Sequence, residues 1–215
     1  MKPKRIFMSL IGVVITAVSV GAFRFAALGV DPFQTFMCGV EKLVPLHYGT
    51  LYILVNLVFL LFALIFDRHY IGIATFFNLF LLGYIVEFSH ACLLSAFPDA
   101  SLAGRGIAFI LGFVAVCCGS SLYITADLGV STYDAIALVC ANKWHLGKFK
   151  FIRITTDIGC VLLGIGMYLL GGGEPGQIPS IVGIGTVATA LCMGPLIDWF
   201  NRKISIPLLG ETSPV

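Results

Sequence analysis

Leu28-Gly29-Val30-Asp31-Pro32-Phe33 returns one hundred positions later, without a gap, as Leu128-Gly129-Val130-Ser131-Thr132-Tyr133. At the same shift Arg5 falls on Arg105, Gly12 on Gly112, Val14 on Val114 and Ala26 on Ala126. Further along, His47-Tyr48-Gly49 matches His145-Leu146-Gly147 at a shift of 98. Gly72-Ile73-Ala74-Thr75, Gly83, Glu87 and Phe88 then match Gly183-Ile184-Gly185-Thr186, Gly194, Asp198 and Trp199 at a shift of 111. Three blocks in one order across most of both halves are the mark of an internal duplication. It divides the chain into a first unit, 1–100, and a second, 101–215.

Of the 215 residues 59% are hydrophobic and 11% charged, where a soluble domain carries roughly 25% charged residues. A soluble fold is excluded. Thirteen Lys and Arg against eleven Asp and Glu leave a net charge of +2, too sparse a basic surface for phosphate neutralisation, so nucleic acid is not a partner. The seven cysteines are odd in number, lack C-x-x-C spacing and lie in or beside apolar runs. They read as small buried residues, and no metal or cofactor is implied.

Six stretches approach the roughly 20 apolar residues that a helix needs to cross the hydrocarbon core: 6–25, 51–66, 71–94, 106–125, 151–170 and 178–200. Lys2, Lys4 and Arg5 precede the first like the start of a signal peptide, but its apolar run is too long and no cleavage site follows, so it reads as a span. With the N-terminus in the cytoplasm, ten of the thirteen Lys and Arg fall inside and only Arg24, Lys42 and Arg105 outside. Both termini are then cytoplasmic.

Three spans per half is an odd number, so the second copy enters the bilayer from the opposite side. The expected fold is all-α and integral to the membrane, six transmembrane helices in a 3+3 inverted repeat that forms one compact membrane domain. Secondary transporters use this arrangement to open a central site to either face. The plainer alternative is a symmetric bundle without moving parts.

Between the first and second spans of each half lies a segment too short and too polar to cross, 31–44 and 131–142. Asp31 with Pro32 and Gln34, and Ser131 with Asp134, carry capping-box signatures, and Gly29 and Gly129 allow the chain to reverse before them. Each segment reads as a short re-entrant or interfacial half-helix. Re-entrant, its N–H groups would face a transport site; interfacial, it would lie flat on the membrane surface.

A charge at the bilayer centre costs at least roughly 2.5–3.5 kcal/mol, so each needs a partner or a wet cavity. Arg153 and Asp157 share a helix face and would neutralise each other, unless Arg153 snorkels to the surface. Glu87 and His90 would form either a proton-exchanging pair or a structural hydrogen bond. These four are the ion-coupling candidates. Asp198, beside Trp199 and Asn201-Arg202-Lys203, reads as interfacial. The solute-contact candidates are Gln34, Asn56, Thr75, Asn78, Tyr133, Asp134, Thr186 and Thr189. The repeat pairs Thr75 with Thr186, Asn78 with Thr189 and Gln34 with Asp134, and such residues serve equally as interhelical glue. Gly12-xxx-Thr16, Ala17-xxx-Gly21, Ala108-xxx-Gly112 and Gly185-xxx-Thr189 predict close backbone crossings. So small a chain leaves a homodimer open.

The motifs L-G-V-D-P-F and L-G-V-S-T-Y-D, Gly183-Ile184-Gly185-Thr186 and Gly194-Pro195-Leu196-Ile197-Asp198 resemble the YczE/YitT-like family of small bacterial integral membrane proteins, over most of the chain. The resemblance implies a bacterial cytoplasmic membrane and a permease role, and supplies no catalytic or ligand residues. The Arg153–Asp157 pair, which the first half lacks, stands apart from the symmetric pattern.

The expected function is secondary transport of a small organic solute, with the lipid bilayer and that solute as partners. The alternative is a membrane-embedded accessory or regulatory protein that moves nothing. The sequence carries no HExxH, GxSxG or phosphate-binding loop, so neither an intramembrane enzyme nor a primary pump is expected.

Overall fold

A computed structural model describes residues 3–147 and 149–210. Lys2 and Lys148, two of the expected inner cations, lie outside the described residues. In chain order the helices are α1 (Pro3–Ala26), α2 (Pro32–Leu43), α3 (Tyr48–Phe66), α4 (Ile73–Ala96), α5 (Leu102–Ala126), α6 (Thr132–Leu138), α7 (Phe149–Leu170) and α8 (Ile184–Phe200). One wide turn interrupts α4 at Asn78–Leu82, another extends α6 over Val139–Lys143. The last span differs most from expectation. A short helix, Ile178–Ile181, precedes extended Val182 and Gly183, and α8 then continues through Asn201–Ser205 to Leu209.

Among the described residues six helices are long and apolar enough to cross a membrane, and their surface is arranged for lipid. Ile184, Leu170, Leu102 and Ile65 are more than two-thirds exposed, while Gln34, Asn56, Asn78 and Thr132 are buried. Apolar groups outside and polar groups paired within is the distribution a bilayer enforces. The chain is a multi-pass membrane protein. Of the free cysteines only Cys117 is fully buried, and Cys92 and Cys192 face outward; lipid accepts a thiol as readily as the interior does, so their burial is not required.

Helices α1 and α5 cross with almost no side chain between them. A Cβ on Gly12 would lie 2.6 Å from the Gly119 carbonyl oxygen, one on Gly119 2.8 Å from the Gly12 oxygen, and one on Gly112 3.2 Å from the Ser19 oxygen. At a shift of 100 the Gly12–Gly119 contact becomes Gly112–Ser19, with the helices exchanged. Glycine at these positions gives the close approach that replaces a hydrophobic drive in lipid.

The Leu-Gly-Val segments exchange partners in the same way. Val30 N donates to Ile181 O at 2.9 Å and Gly185 N to Leu28 O at 2.8 Å; Val130 N donates to Tyr70 O at 3.1 Å and Ala74 N to Leu128 O at 3.0 Å. Each segment is thus tied by main-chain bonds to the start of a helix in the opposite half. The turn requires the left-handed region at Gly29 (φ +102°) and Gly129 (φ +108°). A Cβ there would meet the Gly183 and Gly72 nitrogens, each at 2.5 Å.

Thr75 and Thr186 complete these junctions, accepting at 3.2 Å from Gly72 N and Gly183 N at the N-termini of α4 and α8. Thr75 also donates to Val130 O at 2.7 Å, across to the other half. The capping boxes expected on α2 and α6 are only half formed. Asp31 accepts from Gln34 N and Ser131 from Asp134 N, each at 3.1 Å. The Gln34 side chain is taken by Tyr48 and does not reach back, whereas the Asp134 carboxylate accepts from the Ser131 hydroxyl at 2.6 Å and also pairs with Arg153.

Candidate functional site

The two short helices meet at their N-terminal ends. The Phe33 and Tyr133 rings stack with centroids 5.1 Å apart, and Gln34, Thr35, Thr132 and Tyr133 around them are buried. The C-terminal ends diverge. Lys42 of α2 packs on Gly171, just past α7, while Lys143, after α6, donates to the Phe66 carbonyl at the end of α3.

From this junction a ladder of rings runs both ways to an arginine. On one side Phe33 contacts Tyr52 at 5.9 Å, Tyr52 contacts Tyr48 at 6.1 Å, and the Arg24 guanidinium lies 4.3 Å over Tyr48. On the other, Arg153 lies 4.3 Å over Tyr133. Each guanidinium is held by carboxylate: Arg24 by Glu41 at 2.5 Å, Arg153 by Asp134 and by Asp157 at 3.2 Å. Tyr133 donates to Asp157 at 2.6 Å. Arg153 thus pairs with two acids, and the expected Arg153–Asp157 pair is half of that arrangement.

The polar atoms between the arginines satisfy one another. Tyr48 donates to Gln34, Thr132 to Asn56, Tyr52 to Asn78 at 2.8 Å, and Asn56 to the Tyr52 carbonyl at 2.8 Å. Of the candidates, Gln34, Asn56, Asn78, Tyr133, Asp134, Arg153 and Asp157 therefore converge. Thr75 and Thr186 sit at the crossed loops, and Thr189 bonds back to Thr186 O at 2.9 Å within α8. The Glu87–His90 pair is corrected. Glu87 accepts instead from the His47 ring at 3.0 Å and Gly49 N at 3.1 Å, because the α2–α3 connection lies against α4; the His90 backbone packs by Gly21. Sequence reasoning missed Arg24, Glu41, Phe33, Tyr48, Tyr52 and Thr132. The one available signal was Phe33 matching Tyr133 in the repeat.

Two cavities lie elsewhere. One of about 370 Å³ surrounds Phe66, Arg68 and Lys143; one of about 630 Å³ opens outward between α1, α4 and α5 along Ala22, Phe97, Gly104 and Ala108. Neither is lined by the residues of the ring ladder.

Residues 3–202 match a family described as "Family of unknown function (DUF6198)". The chain belongs to that family. It is 26% identical over 186 residues to a protein of Bacillus subtilis named as an uncharacterized membrane protein, YczE, covering 86% of this chain and 78% of that one. An uncharacterized protein of Haemophilus influenzae is 27% identical over 135 residues, 63% of this chain and 55% of the other. The resemblance read from the motifs is thereby established at family level. No solved structure matches.

Proposed function

We propose that this protein is a secondary transporter of a small organic solute, working by alternating access between two inverted halves in the bacterial cytoplasmic membrane, with both termini on the cytoplasmic side. The observation that carries this reading is the exchange of partners between the halves, Leu28 and Val30 with Gly185 and Ile181, Leu128 and Val130 with Ala74 and Tyr70. Matched positions that bond with their roles swapped are what a twofold relation produces, and for two three-span units that axis lies in the membrane plane. The solute contacts would be Gln34, Asn56, Asn78, Tyr133 and Asp134, with Arg153 and Asp157 bearing the coupled charge. In this reading the protein makes and breaks no covalent bond.

A second reading, an accessory or regulatory membrane protein that moves nothing, draws on the direct packing of Phe33, Tyr52 and Tyr133. A solute has room only when those rings part. Proteoliposomes loaded across a broad metabolite panel separate the two. Uptake or exchange that Asp157→Asn depresses supports the carrier; absence of flux, together with no thermal stabilisation of the purified protein by any compound, overturns it in favour of the second reading.

A further inference from the structure

The two arginine–carboxylate groups stand at opposite ends of the ring ladder and of α7. Arg153 and Asp157 lie on the first turns of α7, whereas Lys42, next to Glu41, packs on Gly171 just past its end; from Arg153 to Leu170 the helix rises roughly 25 Å. Their exposure differs from that of the rings. The Arg24 and Glu41 side chains are 14% and 33% exposed, and those of Arg153 and Asp134 32% and 25%. Tyr48, Tyr52, Phe33 and Tyr133 between them are buried. Accessible surface thus remains at both ion pairs and ends at the rings.

We propose that Arg24–Glu41 and Arg153–Asp134/Asp157 are two gates, each opening toward its own side of the membrane, and that the structure holds both closed. This deepens the transporter reading and rests on it. Each guanidinium lies 4.3 Å over the outermost ring of the ladder, so breaking its carboxylate contact removes one of the groups that hold that ring in place. A partly exposed ion pair is weak enough to break and re-form in a working cycle. A buried pair would not be.

The test needs no solute. Thr132→Cys places a thiol at the buried centre, and a membrane-impermeant methanethiosulfonate is applied to right-side-out and inside-out vesicles, with labelling at that position quantified by peptide mass. Glu41→Gln should raise labelling roughly fivefold from one side only, and Asp134→Asn by a similar factor from the other side only. Asp157→Asn serves as a second variant on that gate should Asp134→Asn fail to fold. No increase in either gate, or increases from the same side, overturns the proposal. Because labelling is read without flux, one-sided opening in a protein that transports nothing would separate failure of the carrier reading from failure of the gates.

Discussion

Phe33 and Tyr133 occupy repeat-matched positions, and their rings stack at 5.1 Å. Where two halves of a chain are related by a twofold axis, only residues beside that axis can touch their own counterparts. The stack therefore marks where the proposed axis passes, and the buried polar atoms gather on either side of it. Tyr133→Phe keeps the stack and loses the hydroxyl bonded to Asp157, so it should cost about 1–2 kcal/mol. Tyr133→Ala also opens a cavity and should cost about 3–5 kcal/mol. Thermal unfolding in detergent measures both; equal losses would mean that the stack adds nothing to stability.

The crossed loops make a paired prediction. Gly29→Ala and Gly129→Ala each force an L side chain into left-handed backbone and against a backbone nitrogen at 2.5 Å. Both should destabilise by about 2–4 kcal/mol. Gly166, inside α7 with nothing within 4 Å of a Cβ, is the control, and Gly166→Ala should gain about 0.5–1 kcal/mol. A mild Gly129→Ala beside a severe Gly29→Ala would argue that the two loops are not equivalent.

The spans are legible in the sequence because lipid leaves a continuous apolar signal, and most boundaries fall within a few residues of those expected. The break before Ile184 is less so, because Pro179, Ser180 and Gly183 mark it only weakly inside a run that is otherwise apolar. The Leu-Gly-Val duplication is legible; its partners are not, since bonds such as Val30 to Ile181 join main-chain atoms and leave no side-chain trace. Gln34 and Asp134 stand out as capping residues by spacing, yet Tyr48 claims the Gln34 side chain and Asp134 divides its carboxylate between Ser131 and Arg153. The same competition defeats the i,i+3 logic of Glu87 and His90. Arg24 stands in the sequence only as one of three outer cations, and only tertiary packing lays it over Tyr48.

Arg153 joins two carboxylates and one ring, so its substitutions should rank by how much each strands. Asp157→Asn leaves Arg153 paired with Asp134, and the expected loss is about 1–2 kcal/mol. Arg153→Ala leaves Asp134 and Asp157 facing each other without a cation, and the expected loss is larger, about 2–3 kcal/mol for a partly exposed group. Arg153→Lys should fall between, because an ammonium lacks the planar fork that pairs with two acids while lying on a ring. Denaturation in detergent gives the order. A Lys variant as stable as the parent would show that charge alone, and not guanidinium geometry, is used.

The inverted arrangement predicts opposite sidedness for two exposed lysines. Lys42 ends α2 near the start of α3, and Lys143 reaches the Phe66 carbonyl at the end of α3. Helix α3 has 19 residues, a rise of roughly 28 Å that nearly matches the hydrocarbon core. The two lysines should therefore emerge on opposite faces. Lys42→Cys and Lys143→Cys, labelled in intact cells and in inverted vesicles with an impermeant maleimide, should react from opposite sides, Lys42→Cys from outside. Reaction from the same side would mean that α3 does not cross between them. The halves would then not be inverted, and the two-sided opening on which transport depends would have no structural basis.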